Sequence, residues 1–246
     1  MIDILKSIFL GIVEGITEFL PISSTGHLIL LNEWIGFDKQ FTEFFDIFIQ
    51  LGAILAVIVF FWRKLWPINI KVWSRIIVAV IPALVIGALL GDYIREMFFN
   101  FQVVAMALIL GGLIIILIEK RQIIPKYNSI EELPWSIVFL IGLIQCLAMI
   151  PGTSRSAATI IGALILGSSR VLAVEFSFFL AIPTMIAASG YGLLKHGLII
   201  DNNQILILSV GFLTSFVVAL IIELFLVLLL YCISYLNKRI PPQPQG

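Results

Sequence analysis

The chain has 246 residues, of which 61% are hydrophobic and only 12% are charged. Soluble domains have about 45–50% apolar and about 25% charged residues, so this composition excludes a soluble globular protein. The 15 basic residues equal the 15 acidic ones, and no overall positive charge points to a nucleic acid partner. We therefore expect a single integral membrane domain over residues 1–246 that binds no nucleic acid.

Five segments are apolar over a length that can cross a membrane, which requires about 20 residues of helix. They are residues 44–62, 76–90 with their flanks, 101–118, 171–194 and 204–236. The last segment has 33 residues, whereas a hydrocarbon core of about 30 Å is crossed by about 20. It must therefore tilt, break or project from the membrane.

Two further apolar segments are interrupted. Residues 4–31 are broken by Pro21 and a polar run through His27, and residues 135–167 are broken by Pro151 and a run through Arg155. Because proline disfavours helix at the residue before it, each segment should split into two helices of roughly 14–17 residues. Irregular backbone within a membrane is tolerated only inside protein or beside a water-filled cavity. The pattern predicts two re-entrant helix–loop–helix hairpins.

The two interrupted segments also resemble each other. Residues 21–24 align with 151–154 at an offset of 130, and residues 45–51 align with 176–182 at an offset of 131. A hairpin plus three spans crosses the membrane an odd number of times, so the second copy starts from the opposite face. We expect an all-α polytopic fold with about five to six full spans, inverted repeats at approximately 1–122 and 130–236, and a disordered Pro-rich tail at 240–246.

The basic residues orient this arrangement, because cytoplasmic loops are enriched in Lys and Arg. Four are expected on one face: Lys6, Lys39, Arg95 and Lys195. Ten are expected on the other: Arg63, Lys64, Lys71, Arg75, Lys120, Arg121, Lys126, Arg170, Lys238 and Arg239. The ten-charge face should be cytoplasmic, so the mouth of the first hairpin should open on the outer face of the cytoplasmic membrane.

Two carboxylates lie inside the first hairpin. Glu14 and Glu18 are four residues apart, on one helical face, and ionisable groups within a membrane are costly enough to indicate function. Together they can hold a hard divalent cation, or one can act as a general base while the other holds the metal. Asp46, Gln50 and Glu175 lie one turn into their spans, where they can either support such a site or cap a helix at the interface.

Hydroxyl residues follow both helix breaks: Ser23, Ser24 and Thr25 in the first segment, and Thr153 and Ser154 in the second. Serine and threonine are good helix N-caps, which is the structural alternative. A helix N-terminus also offers free N–H groups and the positive end of a dipole. Two such termini meeting within the membrane would form an anion site of the size of a phosphate.

His27 and Arg155 are the remaining candidate site residues of the two interrupted segments. His27 follows Ser24 by three residues and can move a proton, although a membrane histidine can also be structural. Arg155 lies far from other charges in the sequence and requires a carboxylate or a phosphate as partner. The alternatives for Arg155 are a phosphate clamp and an ion pair with Glu14 or Glu18.

The run from Glu14 to His27 (EGITEFLPISSTGH) resembles the first signature of the undecaprenyl-diphosphate phosphatase, or bacitracin-resistance, family. The run from Pro151 to Ser156 with Thr159 resembles the second signature, and residues 45–53 resemble a further block. The similarity extends to about residue 222. Ala157 stands where the family has glycine. The family's final Arg-bearing turn and last hydrophobic span are not found, so the resemblance does not extend to the sixth span, the C-terminal topology and the dimer packing.

The resemblance implies a membrane enzyme that hydrolyses undecaprenyl diphosphate to undecaprenyl phosphate and inorganic phosphate, and that depends on a divalent cation, Mg²⁺ or Ca²⁺. Its partners would be the polyprenyl lipid, the bilayer and, in a homodimer, a second copy of the chain. The rival interpretation is a transporter or flippase for an anionic polyprenyl lipid, since inverted repeats with broken helices are typical of transporters.

The candidate residues fall into three overlapping groups. The catalytic group is Ser24, with His27 or Glu18 taking its proton, and Arg155. Attack by an activated water, with Ser24 only as a ligand, is the alternative mechanism. The expected phosphate-binding residues are Ser23, Ser24, Thr25, Thr153, Ser154, Arg155 and Ser156. The expected cation ligands are Glu14 and Glu18.

Overall fold

The computed structural model describes residues 1–121, 124–195 and 201–239, and within these ranges it contains helices and no strands. The all-α prediction is therefore confirmed, and the predicted tail at 240–246 lies outside the described residues. The α-helices are α1 (Ile2–Thr17), α2 (Ser24–Ile35), α3 (Lys39–Phe60), α4 (Trp62–Leu65), α5 (Ile70–Phe98), α6 (Phe101–Glu119), α7 (Trp135–Gln145), α8 (Arg155–Ile165), α9 (Arg170–Lys195) and α10 (Asn202–Arg239).

Five of these helices are long and apolar enough to cross a membrane: α3, α5, α6, α9 and α10. They coincide with the five apolar segments of the sequence, and the chain is a multi-pass membrane protein. The last helix is continuous over 38 residues, or about 57 Å. It does not break, so its excess length is taken up by tilt or by projection from the membrane.

Each interrupted segment forms a helix, a loop and a second helix. In the second segment a 3₁₀ turn at Cys146–Met149 extends α7 before the loop. The expected length of 14–17 residues holds for α1 but is wrong for α2 and α8, which have 12 and 11 residues. The loops after Pro21 and Pro151 take up residues that the apolar count assigned to helix. At about 16–18 Å, neither second helix can cross the hydrocarbon core.

Two helices of each half of the chain pack on one long helix of the other half. The helices α1 and α3 pack on α10, whereas α7 and α9 pack on α5. Glycines allow both contacts to be close: a Cβ on Gly15 would lie 2.8 Å from the carbonyl oxygen of Ser215, and a Cβ on Gly142 would collide with the backbone of Ala79. The same packing arrangement therefore occurs twice, once around α10 and once around α5.

The open ends of the first hairpin lie at the end of the molecule where α3 begins. Lys6 of α1 donates a hydrogen bond from Nζ to the carbonyl oxygen of Gly36, just after α2 (3.2 Å). The next residue, Phe37, donates its N–H to Thr42 Oγ1 in the first turn of α3 (2.9 Å). The start of α1, the end of α2 and the start of α3 therefore share one end.

The open ends of the second hairpin lie at the opposite end, which we call the basic end and which contains Arg63, Lys64, Lys71, Arg75, Lys120, Arg121, Lys126 and Arg170. There α3 has finished its crossing, and Lys64 forms an ion pair with Glu175 near the start of α9 (2.8 Å). Arg75 of α5 donates from Nε to the carbonyl oxygen of Leu133, just before α7 (2.9 Å). The two hairpins thus enter from opposite ends. This arrangement supports the inverted repeat of 1–122 and 130–236, which stays a prediction.

Candidate functional site

The tips of the two hairpins meet inside the molecule. Ser156 at the start of α8 donates a hydrogen bond from Oγ to the carbonyl oxygen of Leu20 in the first loop (2.9 Å). A Cβ on Gly26 would lie 3.2 Å from Cα of Gly152, which itself has a φ of +90°. Phe19 packs edge-on against Phe178 of α9, with the ring centroids 5.5 Å apart. The polar runs of the two interrupted segments therefore form one site.

The carboxylate of Glu18 connects the two hairpins through hydrogen bonds. One oxygen of its carboxylate accepts a hydrogen bond from the hydroxyl of Ser24, and the other accepts one from Nη2 of Arg155 (2.9 Å). Glu18 is only 7% exposed, so this ion pair is shielded from water. The arrangement places a carboxylate oxygen where it can take a proton from the Ser24 hydroxyl, with the positive guanidinium on the other oxygen. Of the alternatives for Arg155, the ion pair is with Glu18 rather than Glu14.

Arg155 keeps donor capacity beyond this ion pair. Its Nη1 donates to the carbonyl oxygen of Ser177 on α9 (3.1 Å), whereas its Nε is buried without a partner among the described residues. Thr159 supports this region, because its hydroxyl donates to the carbonyl oxygen of Arg155 (3.0 Å) and lies 2.6 Å from the hydroxyl of Ser177. The guanidinium is thus held by Glu18, by the carbonyl oxygen of Ser177 and by the sulfur of Met185 (3.4 Å), and its Nε–H remains for a further acceptor.

The two helices that start at the site have the same kind of cap. Ser23 Oγ accepts the N–H of Gly26 (3.3 Å), and Ser154 Oγ accepts the N–H of Ala157 (3.1 Å). The structural alternative of helix capping thus applies to these two serines. A capping hydroxyl accepts with a lone pair and can still donate its proton. Ser24 is the first residue of α2, at the positive end of its dipole.

The remaining predicted phosphate-binding residues are placed differently. Thr25 is exposed, Thr153 is half-buried, and Ser156 is buried with its hydroxyl 3.0 Å from that of Ser154. Their role toward a phosphate stays a prediction. His27 Nδ1 lies 2.8 Å from the carbonyl oxygen of Ser23, and among the described residues Ser24 bonds to Glu18 rather than to His27.

Glu14 lies one helical turn before Glu18 and is 0% exposed. Neither of its oxygens has a hydrogen-bond partner within the described part of the chain. A buried carboxylate without a partner is costly, and a divalent cation would supply the missing positive charge, so Glu14 fits a cation. The described residues contain no cluster of three or more His, Cys, Asp or Glu side chains suited to metal binding. The remaining ligands would then be water or phosphate oxygens, as is usual for Mg²⁺.

Comparison with known proteins identifies the family. The sequence model of the family described as "Bacitracin resistance protein BacA" matches residues 7–235. The chain belongs to the BacA family. The match continues past residue 222, where the similarity of the motifs was expected to end.

Relatives with curated names agree with the family. The chain is 49% identical over 235 residues to "Undecaprenyl-diphosphatase 1" of Clostridioides difficile, covering 90% of this chain and 86% of the relative. It is also 49% identical over 237 residues to the "Undecaprenyl-diphosphatase" of Limosilactobacillus fermentum (89% and 86%). The enzyme of the same name from Enterococcus faecalis is 44% identical over 252 residues (95% and 89%).

Within this BacA-family chain, several buried polar residues were not singled out from the sequence. Gln145 and Glu223 are buried, and their polar side-chain atoms have no partner among the described residues. Asp46, which the sequence did single out, accepts a hydrogen bond from Asn32 of α2 (2.6 Å) and so links α2 to α3. Glu223 could have been found, since it is the one charged residue in segment 204–236. Nothing in the sequence marks Gln145 as a site residue, because neutral amides are common in apolar runs.

Proposed function

We propose that the chain hydrolyses undecaprenyl diphosphate at the junction of the two hairpins, with Ser24 as the nucleophile. The observation that carries this proposal is the carboxylate of Glu18, which accepts from both Ser24 and Arg155. The products are undecaprenyl phosphate and inorganic phosphate, and the reaction recycles the lipid carrier of cell-wall polymers. The relatives are named for this diphosphatase activity, which favours hydrolysis over transport.

In the first step the hydroxyl oxygen of Ser24 attacks the terminal phosphorus, and its proton passes to Glu18. The bond between this phosphorus and the bridging oxygen breaks, and undecaprenyl phosphate leaves. In the second step water attacks the phosphorus of the phosphoserine and the bond between phosphorus and the Ser24 oxygen breaks. Glu18 returns its proton to that oxygen, which restores the Ser24 hydroxyl and releases inorganic phosphate. A serine activated by a neighbouring base is the usual form of such covalent catalysis. Direct attack by water, with Ser24 as a ligand only, would give the same products without phosphoserine.

Arg155 can exchange one partner for another during this reaction. When Glu18 takes the proton it loses its negative charge, and the ion pair with the guanidinium weakens. At the same moment negative charge develops on the phosphate oxygens, toward which Nε of Arg155 is free to donate. Interactions that strengthen in the transition state are the ones that accelerate a reaction. The N–H groups at the starts of α2 and α8 would add further donors.

A divalent cation, Mg²⁺ or Ca²⁺, would be held through Glu14, with Glu18 as a second carboxylate one turn away. The support is the buried, unpartnered carboxylate of Glu14. When bound, the cation would neutralise charge on the diphosphate oxygens. The protein residues would still perform the proton transfer between Ser24 and Glu18.

We further propose that the protein resides in the plasma membrane with the first hairpin opening outward. The support is the grouping of positive side chains at the basic end, which is cytoplasmic by the positive-inside rule. A cysteine at Lys39 should react with an impermeant reagent on intact cells, and one at Lys71 should not. The reverse pattern would overturn this orientation. A homodimer stays a prediction.

The catalytic proposal is tested by phosphate release from undecaprenyl diphosphate by purified protein in detergent. Ser24→Ala should lower kcat about a thousandfold or more, because no other hydroxyl contacts Glu18 among the described residues. Ser209→Ala is the matched control, since Ser209 is an exposed serine of α10 whose hydroxyl bonds only to its own helix. A Ser24→Ala variant that retains the wild-type rate would show that Ser24 is not the nucleophile.

A further inference from the structure

A cavity of about 260 Å³ lies at the basic end, away from the hairpin junction. It is bounded by the last residues of α6, the end of α8 and the first turn of α9. The helix α8 begins at the catalytic site with Arg155 and ends beside this cavity, so the two lie about 16 Å apart along its axis. None of the predicted catalytic residues lines it.

Ser168 is the first sign that this cavity takes a ligand. Its side chain is 2% exposed and lines the cavity, yet its hydroxyl has no hydrogen-bond partner within the described ranges. The backbone N–H of Ser168 is already satisfied by the carbonyl oxygen of Ala163 (2.9 Å). A buried hydroxyl without a partner is costly and uncommon. An acceptor atom placed in the cavity would remove this cost.

The start of α9 provides an independent reason to expect an anion. Ser169 precedes the helix, and within the described ranges its hydroxyl accepts only the N–H of Leu172 (3.4 Å). The other N–H groups of the first turn have no partner inside the helix and carry the positive end of its dipole. Because α9 has 26 residues, this is a full helix terminus facing the same cavity as the Ser168 hydroxyl.

The charges around the cavity favour an anion as well. Arg121 lines it, and its guanidinium has no hydrogen bond or ion pair with the described residues. Arg170 also lines it and is paired with Glu119 at 2.6 Å, but these two side chains are 57% and 63% exposed. A pair so exposed to water contributes little and can exchange partners easily. The three charges sum to one positive charge, which an anion would balance.

The rest of the wall is apolar and continues toward the membrane. Ile118 and Leu164 line the cavity beside Val171, which is exposed on the surface of a membrane-spanning helix. A ligand with a phosphate and hydrocarbon chains matches both halves of the wall. We propose that this cavity binds the phosphate headgroup of an anionic membrane lipid, with Ser168, Arg121 and the start of α9 as its donors.

The proposal is tested by native mass spectrometry of the purified full-length chain titrated with phosphatidylglycerol, with phosphatidylcholine and with inorganic phosphate. The variant is Arg121→Gln combined with Ser168→Ala, and Ser168→Ala alone is measured beside it. Arg63→Gln is the matched control, because Arg63 is an exposed arginine at the same end that does not line the cavity. The catalytic site is identical in all four proteins, so differences between them report on the cavity alone.

We expect the double variant to bind phosphatidylglycerol about tenfold or more weakly than the wild type, since charge-assisted hydrogen bonds are lost. Ser168→Ala should account for part of this change, and Arg63→Gln should bind as the wild type does. Phosphatidylcholine, which has no net charge, should bind the wild type more weakly. Equal affinities of the wild type and the double variant would overturn the proposal. Displacement of the lipid by equimolar inorganic phosphate would overturn the lipid as the ligand and assign a soluble phosphate instead.

Discussion

The first hairpin, α1–α2, and the second, α7–α8, present different chemical groups at equivalent positions. The helix caps place these positions 131 residues apart rather than the 130 of the sequence alignment. Ser23 and Ser154 cap α2 and α8 in the same way, and each is followed by the first residue of its helix. In the first hairpin that residue is Ser24, which carries a hydroxyl; in the second it is Arg155, which carries a positive charge. The same backbone position thus supplies the two groups that meet at Glu18.

The same offset pairs Glu14 with Gln145 and Glu18 with Met149. Glu14 and Gln145 are both buried without partners in the described structure, but only Glu14 carries a charge. The two copies therefore differ mainly in charge: the acids lie in the first hairpin and the guanidinium in the second. Neither hairpin can therefore form the site alone, because each lacks the charge that the other supplies.

The largest effect is expected from Glu18→Gln, which removes the shared carboxylate. Loss of a general base lowers kcat about 10²- to 10⁴-fold, and Arg155 is left without its buried partner, which costs about 3 kcal/mol of stability. Phosphate release and thermal unfolding measure the two effects. Glu33→Gln on α2 is the control, since Glu33 does not contact Ser24 or Arg155. A wild-type rate for Glu18→Gln would remove Glu18 from the mechanism.

Arg155→Lys separates a phosphate clamp from a simple ion pair. Lysine keeps the charge but cannot present two N–H groups in a plane, so a clamp should raise the activation barrier by about 2–4 kcal/mol. Stability should fall less than in Glu18→Gln, because Glu18 keeps a positive neighbour. Measuring kcat beside the unfolding temperature decides between the roles. Activity within a few fold of the wild type would leave Arg155 as the counter-charge of Glu18 only.

Glu14→Gln removes the negative charge that distinguishes Glu14 from Gln145 and so tests whether this charge binds the cation. The variant should need at least about tenfold more divalent cation for half-maximal phosphate release, since a carboxylate binds Mg²⁺ or Ca²⁺ far better than an amide does. In EDTA it should unfold at the same or a higher temperature than the wild type, because burying a neutral amide costs less. Gln145→Met is the control for a change at the equivalent position. An unaltered cation requirement would exclude Glu14 as a ligand.

The smallest effect is expected from Ser156→Ala, which removes the hydrogen bond between the hairpins at Leu20. The free energy of unfolding should fall by about 1–2 kcal/mol, while kcat changes by a few fold at most. Thermal unfolding of Ser156→Ala against Ser209→Ala gives the comparison. If Ser156→Ala lost activity as fully as Ser24→Ala, then Ser156 would belong to the chemistry rather than to the contact between the hairpins.

Much of the fold could be predicted from the sequence, because a membrane imposes simple lengths. The five spans were located by apolar count, although α3 and α5 begin earlier, at Lys39 and Ile70, with polar first turns that a hydropathy count ignores. Proline predicted the breaks at Pro21 and Pro151, whereas α5 continues through Pro82, as the apolar count of residues 76–90 predicted. A proline inside a helix can be accommodated by its neighbours, which a single sequence does not display.

The residues of the site could be predicted from the sequence, but not which of them hydrogen-bond to one another. Glu18 and His27 were both candidates to take the proton of Ser24, since spacing along a helix allows either. In the structure Ser24 bonds to Glu18, whereas His27 Nδ1 lies against the carbonyl oxygen of Ser23. Gln145 and Ser168 were missed because their buried, unpartnered state depends on which helices pack around them. Such tertiary contacts leave no pattern in the local sequence.

In the proposed mechanism Ser24 and Glu18 act as one unit, and a double-mutant cycle measures this directly. The rates of phosphate release by Ser24→Ala, Glu18→Gln and the double variant are compared at saturating cation. If Glu18 acts by taking the proton of Ser24, the second substitution has little left to remove, and the double variant should be about as slow as the slower single variant. Two rate losses that multiply in the double variant would show that Ser24 and Glu18 act independently, which contradicts the proposed proton transfer.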